Sequence, residues 1–132
     1  MANYCRSPVA QALLEREFKE RFNIISAGIS PIGRADMDKR SRSYLENIGL
    51  KVKIHTPKRI STKIVKSCET IFALDLQVLF LLNKDFRRYK NKIRLLGSHR
   101  PDIKLNDPFN ESEENYKKIM FQLETVCKEL KL

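Results

Sequence analysis

The sequence predicts an α/β fold in which helices flank a short parallel sheet. Three observations carry this expectation. Short apolar runs alternate along the chain with stretches of helical periodicity. The run "TIFAL" (70–74) is apolar without alternation, as a strand covered on both faces should be. No repeat, low-complexity segment or Pro/Gly linker divides the 132 residues, so one domain is expected.

The elements follow in order. Ser7 before Pro8 reads as an N-cap with proline in the first helical position, and Val9, Ala10, Leu13, Leu14 and Phe18 recur at helical spacing, so a helix is predicted over 8–21. "IISAG" (24–28) reads as a short β-like run closed by glycine. Residues 38–48 read as a helix with Tyr44, Leu45 and Ile48 inward and Gly49 as its stop. "KVKIH" (51–55) reads as extended. Ser61 caps a short helix over 62–67, and Asp75 caps another over 76–84. "KIRLL" (92–96) is a second strand, and a polar loop spans 97–111. Ser112 caps a final helix with Tyr116, Ile119, Met120, Leu123, Val126, Cys127 and Leu130 on one face. In parallel sheets the site lies beyond the strand C-terminal ends, which places the loops after 27, 74 and 96 and the start of the first helix on one rim.

Composition excludes several classes. Hydrophobic residues make up 42%, too many for a disordered chain. No apolar run reaches the roughly 18 residues of a membrane span, and polar and charged residues precede any apolar stretch, so neither membrane insertion nor a signal peptide is expected and the expected compartment is the cytoplasm. Cys5, Cys68 and Cys127 form neither a metal-type cluster nor an even disulfide framework, and no metal or cofactor is expected. Cys68 and Cys127 read as small core residues. The net charge of +10 suits anionic partners, or a lysine-favouring genome with a solvated basic surface. The positive residues are spread out and no aromatic-basic motif appears, so nucleic acid is not expected as a partner.

Two stretches carry chemistry. In "MANYCRSP", a helix start presents free N–H groups and the positive end of its dipole, which binds phosphate. Arg6 adds a fork of donors for two phosphate oxygens and Ser7 a hydroxyl. The plainer reading is a capped helix beside a solvated arginine. In "NDPF", Pro108 keeps Asp107 off any helix. An aspartate facing a phosphate can protonate a leaving oxygen and then activate water. The plainer reading is a turn aspartate.

Taken together, these motifs resemble the low-molecular-weight protein-tyrosine phosphatase family, whose loop reads Cys-x-x-Asn-x-Cys-Arg-Ser-Pro. Asn3, Cys5, Arg6, Ser7 and Pro8 match it one for one. "SAG" (26–28), "LENIGLKVKIHTPKRIS", "IFALD" and "DPF" resemble later family segments in the same order, and bacterial members look most alike. The resemblance implies a three-layer fold. It implies that Asn3, Tyr4, Cys5 and Arg6 form the phosphate-binding loop, with Arg6 on the phosphoryl oxygens. It implies that Ser7 stabilises a nucleophilic thiolate, that Asn3 and His55 support the loop, and that Asp107 is general acid and then base. Phe109 stands where the family has tyrosine and keeps an aromatic wall at the pocket mouth. The implied partner is a phosphotyrosine-containing protein, with bacterial tyrosine kinases of exopolysaccharide export as candidates, and the implied state is a monomer.

The family's nucleophile belongs to a Cys-x5-Arg pattern. Counting back from Arg6 puts it one residue before Met1, together with a first, central strand ahead of the loop. Cys5 takes the place of the family's second cysteine. Beside a helix start and Arg6 it is also a candidate reactive thiol, though not aimed at phosphorus. Losing four buried strand side chains costs roughly 6–12 kcal/mol at about 1.5–3 kcal/mol each, comparable with a domain's whole stability of about 5–15 kcal/mol. The expectation is that Met1 is an internal methionine. A truncated gene, leaving a dead or binding-only protein, is the alternative. The expected function is phosphotyrosine hydrolysis through a cysteinyl phosphate, with the 132 residues as given inactive. The other readings are a non-catalytic phosphate-binding module, whose loop is not expected to be preorganised, and an arsenate reductase, which needs a cysteine relay. Arg34, Lys39, Arg40 and Arg42 either attract acidic phosphopeptides or are solvated.

Overall fold

A computed structural model of the protein describes residues 2–18, 20–30, 33 and 36–132. Five helices are present among the described residues: α1 (Arg6–Phe18), α2 (Lys39–Asn47), α3 (Thr62–Ser67), α4 (Leu76–Asp85) and α5 (Glu113–Glu129). Two strands, β1 (Ile71–Ala73) and β2 (Ile93–Leu95), pair in parallel with Ile71 opposite Ile93 and Ala73 opposite Leu95. A 3-10 turn over Arg87–Lys92 leads into β2.

The alternation of side chains along β1 builds the layers. Phe72 and Leu74 face a cluster formed by Val9, Leu13, Leu45, Met120 and Leu123, which belong to α1, α2 and α5. Ile71 and Ala73 face the other way, onto Leu82 and Val78 of α4 together with Ile93. The sheet therefore lies between two helical layers, the predicted α/β sandwich. No helix among the described residues is long and apolar enough to cross a membrane.

Capping explains the helix ends. Asp38 accepts a bond from the Arg40 N–H (2.8 Å) at the start of α2. Gly49 closes that helix at φ +87°, where its N–H reaches Glu46 C=O (3.0 Å) and the Leu50 N–H reaches Leu45 C=O (3.0 Å), the paired bonds that end a helix on glycine. Ser61 caps α3 through the Ile64 N–H, Asp75 caps α4 through the Val78 N–H, and Ser112 caps α5 through the Asn115 N–H.

Several expectations need correction. Helix α1 begins at Arg6, not residue 8, and ends at Phe18. Ser7 lies inside the first turn, where its Oγ accepts from the Asn3 side chain (2.8 Å), so it is not the N-cap. Residues 24–28 form no strand. They contribute one isolated bridge, with the Gly28 N–H on Lys58 C=O (2.8 Å) and the Ile60 N–H on Gly28 C=O (2.9 Å). Residues 51–55 form none either, and Ile54 is 80% exposed. A ladder requires a neighbouring strand, and among the described residues neither run is paired beyond the one bridge. Ile71 and Phe72 are only half-buried, whereas Ala73 is fully covered. Cys127 is buried as expected, and its thiol is pushed up to about 12 by loss of solvent. Cys68 is only half-buried.

Glu124 escaped the sequence reading because it lies on the apolar side of α5. It is buried there, taking a bond from the Tyr44 hydroxyl (2.6 Å) and from Arg16 (3.2 Å), with Lys128 at 3.5 Å. The carboxylate thus ties α1, α2 and α5 together. Burial opposes its charge, but the bonds from Tyr44 and Arg16 outweigh that and hold it below its ordinary 4.5. A depressed carboxylate contributes stability that is present above its unfolded value and lost as pH falls through the folded one. Urea midpoints between neutral pH and about pH 3 should therefore fall steeply in the native chain and less steeply in Glu124→Gln. Equal acid sensitivity in the two chains would refute this role.

Candidate active site

The site grows from Asn3. This residue stands at φ +58°, the left-handed region that asparagine tolerates better than most side chains. Its side-chain nitrogen donates to Ser7 Oγ (2.8 Å) and Ser26 Oγ (2.9 Å), while its carbonyl oxygen accepts the Lys58 N–H (3.0 Å). His55 Nε2 sits 2.8 Å from the Asn3 backbone oxygen. Asn3 itself is buried. Residues 2–5 are thereby pinned against three separate segments, and the turn they make ends where α1 begins.

Arg6 is 3% exposed, which removes the reading of a solvated arginine. Its Nη1 donates to Asp75 Oδ2 (2.8 Å) and to Leu105 C=O. Burial opposes the charge of Asp75. The bonds from the Val78 N–H and from Arg6 outweigh it, holding the carboxyl below its ordinary 3.8. Asp75 does two jobs at once, capping α4 with one oxygen and anchoring Arg6 with the other. The sequence places the loop after residue 74 on this rim but shows Asp75 only as a cap.

Cys5 is buried, with its sulfur 3.9 Å from Asp38 Oδ2. Burial pushes its thiol up, and the charge of Asp38 adds to this against a hydrogen bond to Tyr116. The candidate reactive thiol is therefore corrected: a helix start favours a thiolate only where solvent or a cation reaches it. The Cys5 backbone oxygen accepts from Ser41 Oγ (2.8 Å), and the Tyr4 oxygen accepts the Asp38 N–H (3.0 Å). The first turn of α2 thus braces the loop from below.

Across the mouth lies the loop 105–111. Pro108 is fully buried, whereas Asp107 is exposed and takes the Phe109 N–H on Oδ1 (3.1 Å). A cavity of about 260 Å³ is lined by Asn3, Tyr4, Cys5, Arg6, Ser7, Asp107 and Phe109. The Tyr4 and Phe109 rings stand 6.2 Å apart at 58°. Every residue predicted for the site except His55 lines this cavity, and His55 stands behind it. Sequence reasoning missed Asp75, Ser26 and Asp38. Ser26 was visible in "SAG", but nothing in its spacing shows that it meets Asn3.

Two of the four basic residues in this region are also corrected. Arg42 is bonded to Asp36 (2.6 and 3.1 Å) and to two backbone oxygens, and Arg40 is bonded to Asp38 and to the loop 105–111. Neither is a solvated charge waiting for a ligand. Lys39 is exposed, and Arg34 lies outside the described residues.

Two outcomes follow from this geometry. Asn3→Ala removes three bonds, at about 1 kcal/mol each, and leaves alanine in a left-handed conformation, so denaturant unfolding should register a loss of about 3–4 kcal/mol. A loss below about 1 kcal/mol would show that the loop does not depend on Asn3. Alkylation of the folded chain at neutral pH, read by mass spectrometry, should label Cys68 first and leave Cys5 and Cys127 protected until denaturant is added. Early labelling of Cys5 would contradict its burial.

A family model described as low molecular weight phosphotyrosine protein phosphatase matches residues 1–131. The low molecular weight protein-tyrosine-phosphatase Wzb of Salmonella typhi is 22% identical over 129 residues, covering 98% of this chain and 86% of that protein. Among solved structures, the tyrosine phosphatase Wzb from Escherichia coli K30 in complex with sulphate superposes with a TM-score of 0.89 at 23% identity, over 97% of this chain and 89% of that one. A YwlE arginine phosphatase from Geobacillus stearothermophilus superposes at 0.87 with 22% identity, over 97% and 84%. At such identities the superpositions establish the fold.

Proposed function

We propose a hydrolytic function for this chain on one premise: it belongs to the low molecular weight phosphotyrosine protein phosphatase family. The reading is phosphotyrosine hydrolysis through a cysteinyl phosphate. The observation that carries it is the single cavity shared by the Asn3–Ser7 turn and Asp107. A phosphoryl group in that cavity meets the start of α1 and the buried guanidinium of Arg6, which is held through Nη1 by Asp75 and Leu105. The thiolate attacks phosphorus and the P–O bond to the phenol breaks. Asp107 gives its proton to the departing oxygen, then takes one from the water that displaces sulfur. Ser7 stabilises that thiolate, with its hydroxyl oriented by Asn3. Asn3 and His55 keep the turn in shape.

Fold alone does not choose the phosphorylated group, since one superposing protein is described as an arginine phosphatase. The Tyr4 and Phe109 rings, in contact at 6.2 Å, give the cavity an aromatic wall against which a phenyl ring can pack. The proposed partner is a phosphotyrosine-bearing protein in the cytoplasm, a bacterial tyrosine kinase first among candidates, met by a monomer without metal or cofactor.

The attacking cysteine of the Cys-x5-Arg pattern falls one residue before Met1 in the numbering. On this reading a polypeptide of these 132 residues alone should turn over essentially no aryl phosphate. Adding the cysteine-bearing segment should raise turnover by as much as ~10⁶-fold, the order by which deleting a nucleophile slows a covalent enzyme. Comparable rates in the two chains would overturn the reading. The second reading, a phosphate-binding module, is favoured by the Asn3 bonds to Ser7, Ser26 and Lys58, which hold the turn. Its mark is phosphate binding lost in Arg6→Ala, with no turnover in either chain.

A further inference from the structure

We propose that Arg40 is a positioning residue that holds the acid-bearing loop against the phosphate-binding turn. The inference rests on the phosphatase reading of Asp107 and adds a residue to it. Arg40 leaves α2 at its first turn and reaches in two directions. Its Nε and Nη2 grip both oxygens of Asp38 (3.0 and 2.9 Å). Its Nη2 and Nη1 donate to the backbone oxygens of Phe109 (3.0 Å) and Glu111 (3.1 Å). The guanidinium carbon lies 4.1 Å from the centre of the Tyr116 ring, so the charge sits over the ring as well as being bonded.

Each partner of Arg40 belongs to the site or braces it. The Asp38 N–H holds Tyr4 C=O of the phosphate-binding turn (3.0 Å). Tyr116 shares a short hydrogen bond with Ser41, whose Oγ also reaches Cys5 C=O. Phe109 and Glu111 flank the exposed end of the loop that carries Asp107. Among the described residues, a continuous path of hydrogen bonds thus runs from the turn through Asp38 and Arg40 to the loop. A planar fork of five donors can make such a junction, and a lysine, with one point of charge, cannot serve two carbonyls and a carboxylate in one plane. The consequence is that Arg40 sets where the proton of Asp107 stands, without touching substrate.

A lost positioning contact should appear as a defect in protonating the leaving group. In the cysteine-bearing chain, Arg40→Lys should lower kcat/KM on phenyl phosphate, which reports the steps through departure of the phenol, by about tenfold, a fraction of the 10²–10⁴ that general acid catalysis supplies. It should change kcat/KM by less than about threefold on p-nitrophenyl phosphate, whose phenolate leaves with little protonation. Asp38→Asn, which frees the guanidinium without altering it, should show the same selectivity. The double variant Arg40→Lys/Asp107→Asn should be no worse than Asp107→Asn, because both act on one proton. A merely structural Arg40 lowers both substrates alike, and that result overturns the inference. If Asp107→Asn itself does not discriminate the two esters, the phosphatase reading falls and takes the role of Arg40 with it.

A second arm uses the 132 residues as they are. The Phe109 and Glu111 amides are bonded within the loop, to Asp107 and to Pro108 C=O. Their hydrogen exchange should accelerate about tenfold in Arg40→Lys while amides in α5 keep their rates. Unchanged exchange at both amides overturns the inference.

Discussion

Everything at the rim depends on one asparagine side chain. Asn3 offers two donors and an acceptor, and it spends them on Ser7, Ser26 and the Lys58 N–H. Each bond ties the turn to a different part of the chain: the start of α1, the segment after it, and the stretch before α3. A backbone in the left-handed region does not hold itself there, so these contacts over-determine it. The direction of α1 and the burial of Arg6 follow from the turn. Since Arg6 then meets Asp75 at the end of β1, the position of α4 is tied to the same point.

The helical layers carry this constraint outward through polar contacts within an apolar interface. On one side, Glu124 joins Tyr44 and Arg16 where α1, α2 and α5 meet. On the other, Ser41 and Tyr116 link α2 and α5 beneath the turn, and Arg40 sits over the same Tyr116 ring. A buried polar group costs stability unless it is bonded, so each of these groups admits few arrangements of its neighbours. Leu13, Leu45, Met120 and Leu123 supply the drive to bury surface, and the polar contacts select the register in which they do so.

Local signals explain which parts were readable. Ser61, Asp75 and Ser112 cap helices because each has its acceptor three residues before the N–H it meets, and that spacing is written in the sequence. Gly49 was readable for the same reason. The α5 stripe from Tyr116 to Cys127 follows helical period and is buried as expected. The runs at 24–28 and 51–55 were misread because apolar composition says what a segment can do, while a strand exists only where a partner lies beside it. Ser7 was misread because its serine–proline signature is satisfied as well by a bond from Asn3 as by a cap. Motif residues such as Arg6 and Asp107 were legible by type and order. Their shared cavity was not, and neither were the second role of Asp75 and the fork of Arg40, since these depend on residues far apart in the chain.

That distance has a consequence for how the molecule is made. Asn3 reaches Lys58 across 55 residues, Arg6 reaches Asp75 across 69 and Leu105 across 99, and Arg40 reaches Glu111 across 71. Closing such loops costs entropy before any contact repays it, so contacts of this span form late in folding, after the local helices. The anion cradle is then a product of the completed chain. A nascent or half-unfolded molecule keeps its helices yet has no guanidinium fixed at the mouth and no aspartate opposite. Competence at the site is therefore a report on the integrity of the whole domain, and a lesion as remote as the Leu105 segment is felt at Arg6.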